Sequence, residues 1–280
     1  MYEGKDELVV MQEDLKRALK KTKPAWSMLI DTQRCILCHA CTIGCMVEYK
    51  LPPGISYRPM YEVEKGIYPQ VRRLFVARPC QQCDNPLCVA ACPNKGEGKA
   101  TWKATDGIVI INYEKCIGCG RCVAACPYGA RSMDNGAFYT DNTPSIPEME
   151  RGPVWEYNSK WLRQGKNLPV GTSRKCQFCS HRLKNGMLPV CVSTCIGRAT
   201  YFGDISDEES LISKVMKKTK TTTLKEIQGF GSIAARIEKV GKQLKSAEWK
   251  TLIGQAMGAG HGVVPVFGNS VTKPRVYYIV

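Results

Sequence analysis

Apolar residues in this chain come in short bursts between polar stretches rich in Pro and Gly. The bursts at 27–30, 73–77, 107–111 and 199–202 hold β-branched, aromatic or Leu side chains over too few residues for a helix, and they predict short strands. Residues 87–92, 121–126 and 190–195 read as helices of one or two turns, and residues 6–22 as a short amphipathic helix. Ile233, Ile237, Val240 and Leu244 recur at helical spacing inside 211–250, a segment with ten Lys or Arg against three Glu. Its second half is therefore expected to be an amphipathic helix with a basic face, packing its apolar stripe on the chain's own body in preference to a membrane or an acidic partner.

Two stretches between the bursts are longer than a compact domain normally carries without structure of their own. Residues 46–79 hold Pro52, Pro53, Gly54, Pro59 and Pro69. Residues 132–170 hold Pro144, Pro147, Pro153 and Pro169 together with Phe138, Tyr139, Trp155, Tyr157 and Trp161. Aromatic side chains argue against disorder, so 132–170 is expected either to lie against a partner subunit or to cover the chain's own sites. No membrane-spanning segment is read: the uncharged stretch 251–272 contains five glycines, Pro265 and Asn269. Asp6, Glu7, Glu13 and Asp14 interrupt any apolar core of a signal peptide.

The sixteen cysteines among 280 residues change the picture, because they fall into four groups of four. Group one is Cys35, Cys38, Cys41 and Cys45; group three, Cys116, Cys119, Cys122 and Cys126, repeats its C-x2-C-x2-C-x3-C spacing and adds Pro127. Group two, Cys80, Cys83, Cys88 and Cys92, carries a short insertion before its last pair and is followed by Pro93. Group four, Cys176, Cys179, Cys191 and Cys195, carries a longer one. The hexapeptide C-V-A-A-C-P occurs at 88–93 and again at 122–127, and C-V-S-T-C at 191–195 echoes it, so the sequence contains an internal repeat.

This spacing curls the backbone so that three sulfurs face three corners of one cubane, while the fourth cysteine ligates the other cluster of a pair. The fourth cysteine, followed by proline, is expected to start a helix that carries it away. Four groups imply two such pairs and four [4Fe–4S] clusters. Zinc would need four thiolates in two C-x2-C knuckles, and three cysteines at this spacing crowd a tetrahedral ion. Disulfides within C-x2-C pairs would be strained. With cluster loops set between strands and short helices, the fold class is α+β, a duplicated ferredoxin-like arrangement with long loop insertions and a C-terminal helical extension.

The segments W-S-M-L-I-D-T-Q-R-C-I-L-C-H-A-C-T at 26–42, D-G-I-V-I-I-N-Y-E-K-C-I-G-C-G-R-C-V-A-A-C-P-Y-G-A-R at 106–131 and R-K-C-Q-F-C-S-H-R-L at 174–183 resemble the four-cluster iron–sulfur subunit of molybdopterin oxidoreductases of the dimethyl-sulfoxide-reductase superfamily. The resemblance runs from 26 to about 205 and resumes at T-K-P-R-V-Y-Y-I, 272–279, which looks like that family's C-terminal strand; 211–271 lies outside it. It implies a subunit with no catalytic residues of its own, relaying single electrons between a molybdopterin (Mo or W) catalytic subunit and a quinone-reactive membrane subunit or a cytochrome in anaerobic respiration. The alternative is a free-standing polyferredoxin, which would not need the long aromatic insertions.

The resemblance also implies how the groups pair. Cys35, Cys38, Cys41 and Cys195 would hold one cluster, and Cys176, Cys179, Cys191 and Cys45 its neighbour. Cys80, Cys83, Cys88 and Cys126 would hold a third, and Cys116, Cys119, Cys122 and Cys92 the fourth. Met46 and Ile196 stand where Pro93 and Pro127 follow the other groups, which weakens the helix signal there without removing a ligand. The implied organisation is an N-terminal helical segment (1–25), one ferredoxin-like pair from 26–79 and 171–210, a second from 80–131, the aromatic insertion (132–170) and a basic C-terminal extension (211–280). Similar subunits travel folded with a partner that bears the export signal. The outer, periplasmic face of the cytoplasmic membrane is therefore the expected location, with a cytoplasmic complex as the alternative. Substrate and direction of electron flow are set in the partner subunits.

Cations stand near every group: Arg34, Arg78, Lys115, and Arg174 with Lys175. Beside an anionic cluster such charges are expected to raise its potential, the alternative being a solvated strand end. His39 and His181 lie in cluster loops but are expected to be structural, since every cluster already has four thiols. The formal charge of +15 at first suggests nucleic acid. Four oxidised clusters at about −2 each, thiolates included, bring it to about +7, so no nucleic-acid partner is expected.

Overall fold

The computed structural model describes residues 4–145, 150, 152–163, 165–224, 227 and 272–280. The expected helix around Ile233, Ile237, Val240 and Leu244 lies outside these residues.

A four-stranded sheet forms the centre, in the order Thr200–Asp204, Trp26–Asp31, Val276–Ile279, Thr221–Thr222. Trp26–Asp31 runs antiparallel to Thr200–Asp204, with Met28 opposite Phe202, and parallel to Val276–Ile279, with Met28 opposite Val276. Both faces of the first two strands are covered, so Met28, Leu29, Ile30, Tyr201 and Phe202 are buried without alternation, whereas Val276–Ile279 alternates, burying Val276 and Tyr278. Helix Glu7–Ala18 lies across the sheet through Met11, Leu15 and Ala18. Asp6 caps it by accepting from the Leu8 amide (2.8 Å). Helix Leu211–Lys218 packs beside it, and buried Asp14 accepts the Leu211 amide at 2.7 Å. That bond satisfies a first-turn N–H that would otherwise be orphaned.

The C-terminal strand ties distant parts together. The Thr32 amide donates to the Ile279 carbonyl (3.0 Å), the Tyr278 hydroxyl to the Ala77 carbonyl (3.0 Å) and the Arg275 amide to the Gln81 carbonyl (2.9 Å).

The two long stretches expected to lack structure of their own each contain a hairpin. In 46–79, Met60–Ile67 pairs with Gln70–Ala77 in an eight-residue register. Only the apolar end of the second strand resembles a strand in sequence and is largely buried; its first four residues, including Arg72 and Arg73, are exposed at the far end of the hairpin. In 132–170, Val154–Glu156 pairs with Ser159–Trp161, and Ser132–Met133 pairs with Ser173–Arg174. The strand expected at 107–111 is Val109–Ile111, paired with Thr101–Lys103.

The short helices sit where the sequence places them, Leu87–Ala90, Arg121–Ala124 and Val190–Ser193, but the fourth cysteine does not start a helix. Cys92, Cys126 and Cys195 all follow the helix end; a proline after Cys92 and Cys126 disfavours a helical conformation at the cysteine, whereas in group four the helix ends at the same place without one. Where Met46 replaces proline, helix Ala40–Glu48 runs straight through Cys45.

Candidate metal centres

Each cluster loop uses one backbone device. The residue before the second cysteine has positive φ in all four groups: Leu37 (57°), Gln82 (45°), Gly118 (67°) and Phe178 (54°). That left-handed residue reverses the backbone and brings the sulfurs to one side. Only group three relieves the strain with glycine, and there it is obligatory. A Cβ on Gly118 would stand 2.5 Å from the Gly171 carbonyl oxygen, which belongs to the turn after the aromatic insertion. Gly118→Ala is expected to cost more than about 1 kcal/mol and to lower iron retention; parent-like iron content and melting temperature would contradict this.

None of the sixteen cysteines is joined to another in a disulfide. Among the described residues no three Cys, His, Asp or Glu side chains stand close enough to hold a single metal ion. The sulfurs are instead grouped more widely. Cys35, Cys38, Cys41 and Cys195 line one hollow with about 400 Å³ of atom-free space. Cys92, Cys116, Cys119 and Cys122 line a second, of about 310 Å³. Each hollow takes three cysteines from one group and one from another.

The electrostatics bring the remaining eight together in the same way. Burial pushes the Cys45 thiol well up, and the nearby Cys179, Cys176 and Cys191 sulfurs add to it, although Cys45 belongs to group one in sequence. Burial likewise raises Cys126 to about 11, with Cys88 and Cys80 adding to it. Burial raises Cys83 too, with Cys80, Cys126 and Cys88 as its charged neighbours. Thiols raised by burial and by one another make poor isolated anions. A shared cationic iron–sulfide core removes both penalties, so this donor set fits such a group. Backbone amides reach two of the crossing sulfurs, Ala130 N to Cys126 Sγ (3.3 Å) and Ala199 N to Cys195 Sγ (3.2 Å).

The four sets differ in exposure. Cys176, Cys179, Cys191 and Cys45 are all buried, whereas the first hollow includes exposed Cys38. Exposed Ile36 and Ile196 lie beside that hollow and exposed Ile117 lines the other. Charged influence also crosses between sets: Cys41 acts on Cys191, and Cys80 on Cys176.

The cations singled out in the sequence do not behave alike. Arg34 is partly exposed and pairs with Glu7 (2.9 Å), Arg78 bonds the Tyr128 carbonyl and the Tyr61 hydroxyl, and Lys115 is exposed on the Gly98 carbonyl (2.6 Å). Arg174 is fully buried but held by two carboxylates, Asp134 (2.8 Å) and Glu156 (3.0 Å). Lys175 is also fully buried, bonded only to the Cys176 carbonyl (2.9 Å) and the Gln82 side chain (3.5 Å). Sequence reasoning missed Arg58 and Arg131, both buried beside the thiols. His181 pairs with Glu48 (2.7 Å), and this contact, with Arg182, holds the Glu48 carboxyl below its usual range against the opposing effect of burial.

The aromatic insertion is latched onto the body. Glu156 accepts from the hydroxyls of Tyr57 (2.7 Å) and Tyr113, while Trp161 and Tyr157 pack edge-on to Tyr113. Its other side exposes Tyr139, Trp155 and Leu162.

Residues 109–132 match a family described as a 4Fe-4S binding domain, and residues 27–93 and 163–205 each match one described as a 4Fe-4S dicluster domain. The B subunit of the selenate reductase of Mesobacillus selenatarsenatis is 49% identical over 227 residues, covering 80% of this chain and 76% of that protein. The B subunit of the tetrathionate reductase of Salmonella typhimurium is 35% identical over 194 residues, 68% of this chain and 62% of its own length. The B component of the polysulfide reductase of Wolinella succinogenes is 33% identical over 207 residues, 73% and 89%. The fold is thus α+β with separate 4Fe-4S-type domains in a duplicated ferredoxin-like arrangement. Cysteine loops that gather sulfurs in crossing sets, and relatives of this identity and coverage, place the protein in one family: it belongs to the B-type iron–sulfur subunits of the anaerobic respiratory oxidoreductases of the dimethyl-sulfoxide-reductase superfamily.

Proposed function

We propose that this subunit relays electrons through four [4Fe–4S] clusters, held by the four crossing sets of cysteines named above, with the most exposed set at one end. As the electron-transfer subunit of its complex, it links a molybdopterin catalytic subunit to a membrane or cytochrome partner. Each cluster supplies a centre that takes up and releases one electron without bond making in the protein. The chain's own residues hold the ligands, keep water from the inner sets and carry the partners. The observation that carries this reading is that thiols from distant groups converge four at a time.

The ferredoxin-like pairs are 26–79 with 171–210, and 80–131. The exposed Trp155 and Leu162 on the insertion suit a partner surface, while its inner side serves the chain itself. The substrate of the complex is an oxyanion or sulfur compound, by analogy with the selenate, tetrathionate and polysulfide named for the relatives. Among the described residues no helix is long and apolar enough to cross a membrane. The complex works at the periplasmic face, exported with a signal-bearing partner.

Iron and acid-labile sulfide analysis of the complex purified through its pterin-containing subunit is expected to show about four cubanes in this chain. Cys45→Ser tests the crossing: it should alter the electron paramagnetic resonance signal of a centre that also responds to Cys176→Ser and leave the one that responds to Cys38→Ser unchanged. The opposite pattern would refute the assignment.

A further inference from the structure

Five cationic side chains are buried among the described residues: Arg58, Arg131, Arg163, Arg174 and Lys175. Arg163 and Arg174 satisfy the usual requirement for a buried charge, sharing Asp134 and Glu156 between them. The other three have no carboxylate. Arg58, 2% exposed, donates to the Thr200 hydroxyl (2.7 Å) and meets Met28 Sδ (3.1 Å), and its Nε has no partner. Arg131, 3% exposed, reaches only the Thr101 hydroxyl (3.2 Å), and its Nε is likewise unpartnered. Lys175 has a carbonyl and an amide oxygen. A buried cation left in this way is costly unless a counter-charge lies close by.

Their positions supply the counter-charge. Arg58 lines the hollow of Cys35, Cys38, Cys41 and Cys195, and its charged neighbours are Cys191 on one side and Cys41 on the other. Lys175 adjoins Cys176 in the chain and bonds its carbonyl oxygen (2.9 Å), and Cys80 of the next set is a further charged neighbour. Arg131 follows Ala130, whose amide reaches Cys126 Sγ (3.3 Å), and has Cys88 and Cys122 as charged neighbours. Each is thus near cysteines of two sets, and together the three link all four.

We propose that Arg58, Lys175 and Arg131 are junction charges, one for each successive pair of cysteine sets, that raise the reduction potential of both flanking centres. They are positioning residues of the relay. The inference rests on the four-set reading above. An electron leaving one side lowers the negative charge there by one and raises it by one on the other. The cation between them stays equally close to both, so no proton need move. A carboxylate partner would cancel this effect, which gives a reason for its absence.

The test uses the complete complex and an electron paramagnetic resonance redox titration, with iron content measured in each sample. Arg58→Gln is expected to make two of the four centres about tenfold harder to reduce, about 59 mV for one electron, and to leave the other two within about threefold. Arg131→Gln should shift the other two. Lys175→Met should shift one centre from each pair. Lys115→Met, at an exposed site, should shift none. Intact iron with no shift, or an equal shift of all four centres, overturns the proposal. A parent complex without four titrating centres overturns the four-set reading instead. Should a Gln variant lose iron, Arg58→Lys and Arg131→Lys decide: iron and potentials close to the parent's uphold a role for charge, and loss of iron or an equal shift there overturns it.

Discussion

Arg174→Met is expected to destabilise the protein by about 3–5 kcal/mol, the range for removing one partner of a buried ion pair. Arg174 is wholly buried and contacts Asp134, Glu156, the Tyr57 hydroxyl and the Tyr49 carbonyl. Asp134 would survive the loss, because Arg163 also holds it through two bonds of 2.7 Å. Burial alone would raise the Asp134 carboxyl; Arg163, then Arg174, outweigh it and hold it below its usual range. Glu156 has no second cation and would keep only the two tyrosine hydroxyls. The cost therefore falls on Glu156, and the hairpin Val154–Glu156 with Ser159–Trp161 should come away from the body. Denaturant midpoints and limited proteolysis across 150–165 measure it. Glu156→Gln added to Arg174→Met should recover part of the loss, since a neutral amide is cheaper to leave buried than a carboxylate. If the double variant were less stable than the single one, the charge argument would be wrong.

This knot also answers what the aromatic insertion does for the chain itself. Asp134, Glu156 and Arg163 come from the insertion, and Arg174 stands two residues before Cys176. The insertion thus fixes the strand that leads into the fourth cysteine group, and through Lys175 it sits next to the junction between the two pairs of sets. Aromatic content in the sequence pointed to a covered surface, and the structure resolves it into two faces. Tyr157 and Trp161 pack inward, while Trp155 and Leu162 remain exposed.

The sites were legible to the extent that their chemistry is local in sequence. Cysteine spacing announces itself within a dozen residues, and the strands 26–31, 109–111 and 200–204 follow from short β-branched or aromatic runs. Helix Ala40–Glu48 was not foreseen because Met46, in place of the proline that follows groups two and three, weakened the helix signal there. Met60–Ile67 escaped notice because its apolar alternation is diluted by Glu62 and Glu64. Arg58 and Arg131 carry no sequence signal at all. Each is one cation among forty, and its importance comes only from being buried next to sulfurs distant in sequence, as Arg58 is beside Cys191. Nearness in sequence is no guide to this: Lys115 beside Cys116 lies at the surface, whereas Lys175 beside Cys176 is fully buried.

The same charges set the largest effect expected here. Removing the iron by oxidation and chelation should abolish fixed tertiary structure in this protein. Cys45, Cys80, Cys176, Cys179 and Cys191 belong to the continuous apolar core, so extraction leaves its centre lined with thiols. Burial pushes Cys45, Cys179 and Cys176 above the ordinary thiol value, Cys176 to about 12, so at neutral pH they remain protonated and supply no negative charge. Arg58 and Arg131 cannot shed their protons and would face neutral sulfur across a dry interior. An uncompensated buried ion costs several kcal/mol, and two of them consume most of the roughly 5–15 kcal/mol that stabilises a typical domain. Loss of near-ultraviolet circular dichroism and rapid proteolysis on chelation are the expected results, with recovery on adding ferrous iron and sulfide under reducing conditions. An iron-free protein that kept its near-ultraviolet spectrum and a cooperative melt would show that the apolar core alone sustains the fold, and that the buried arginines find their counter-charge elsewhere.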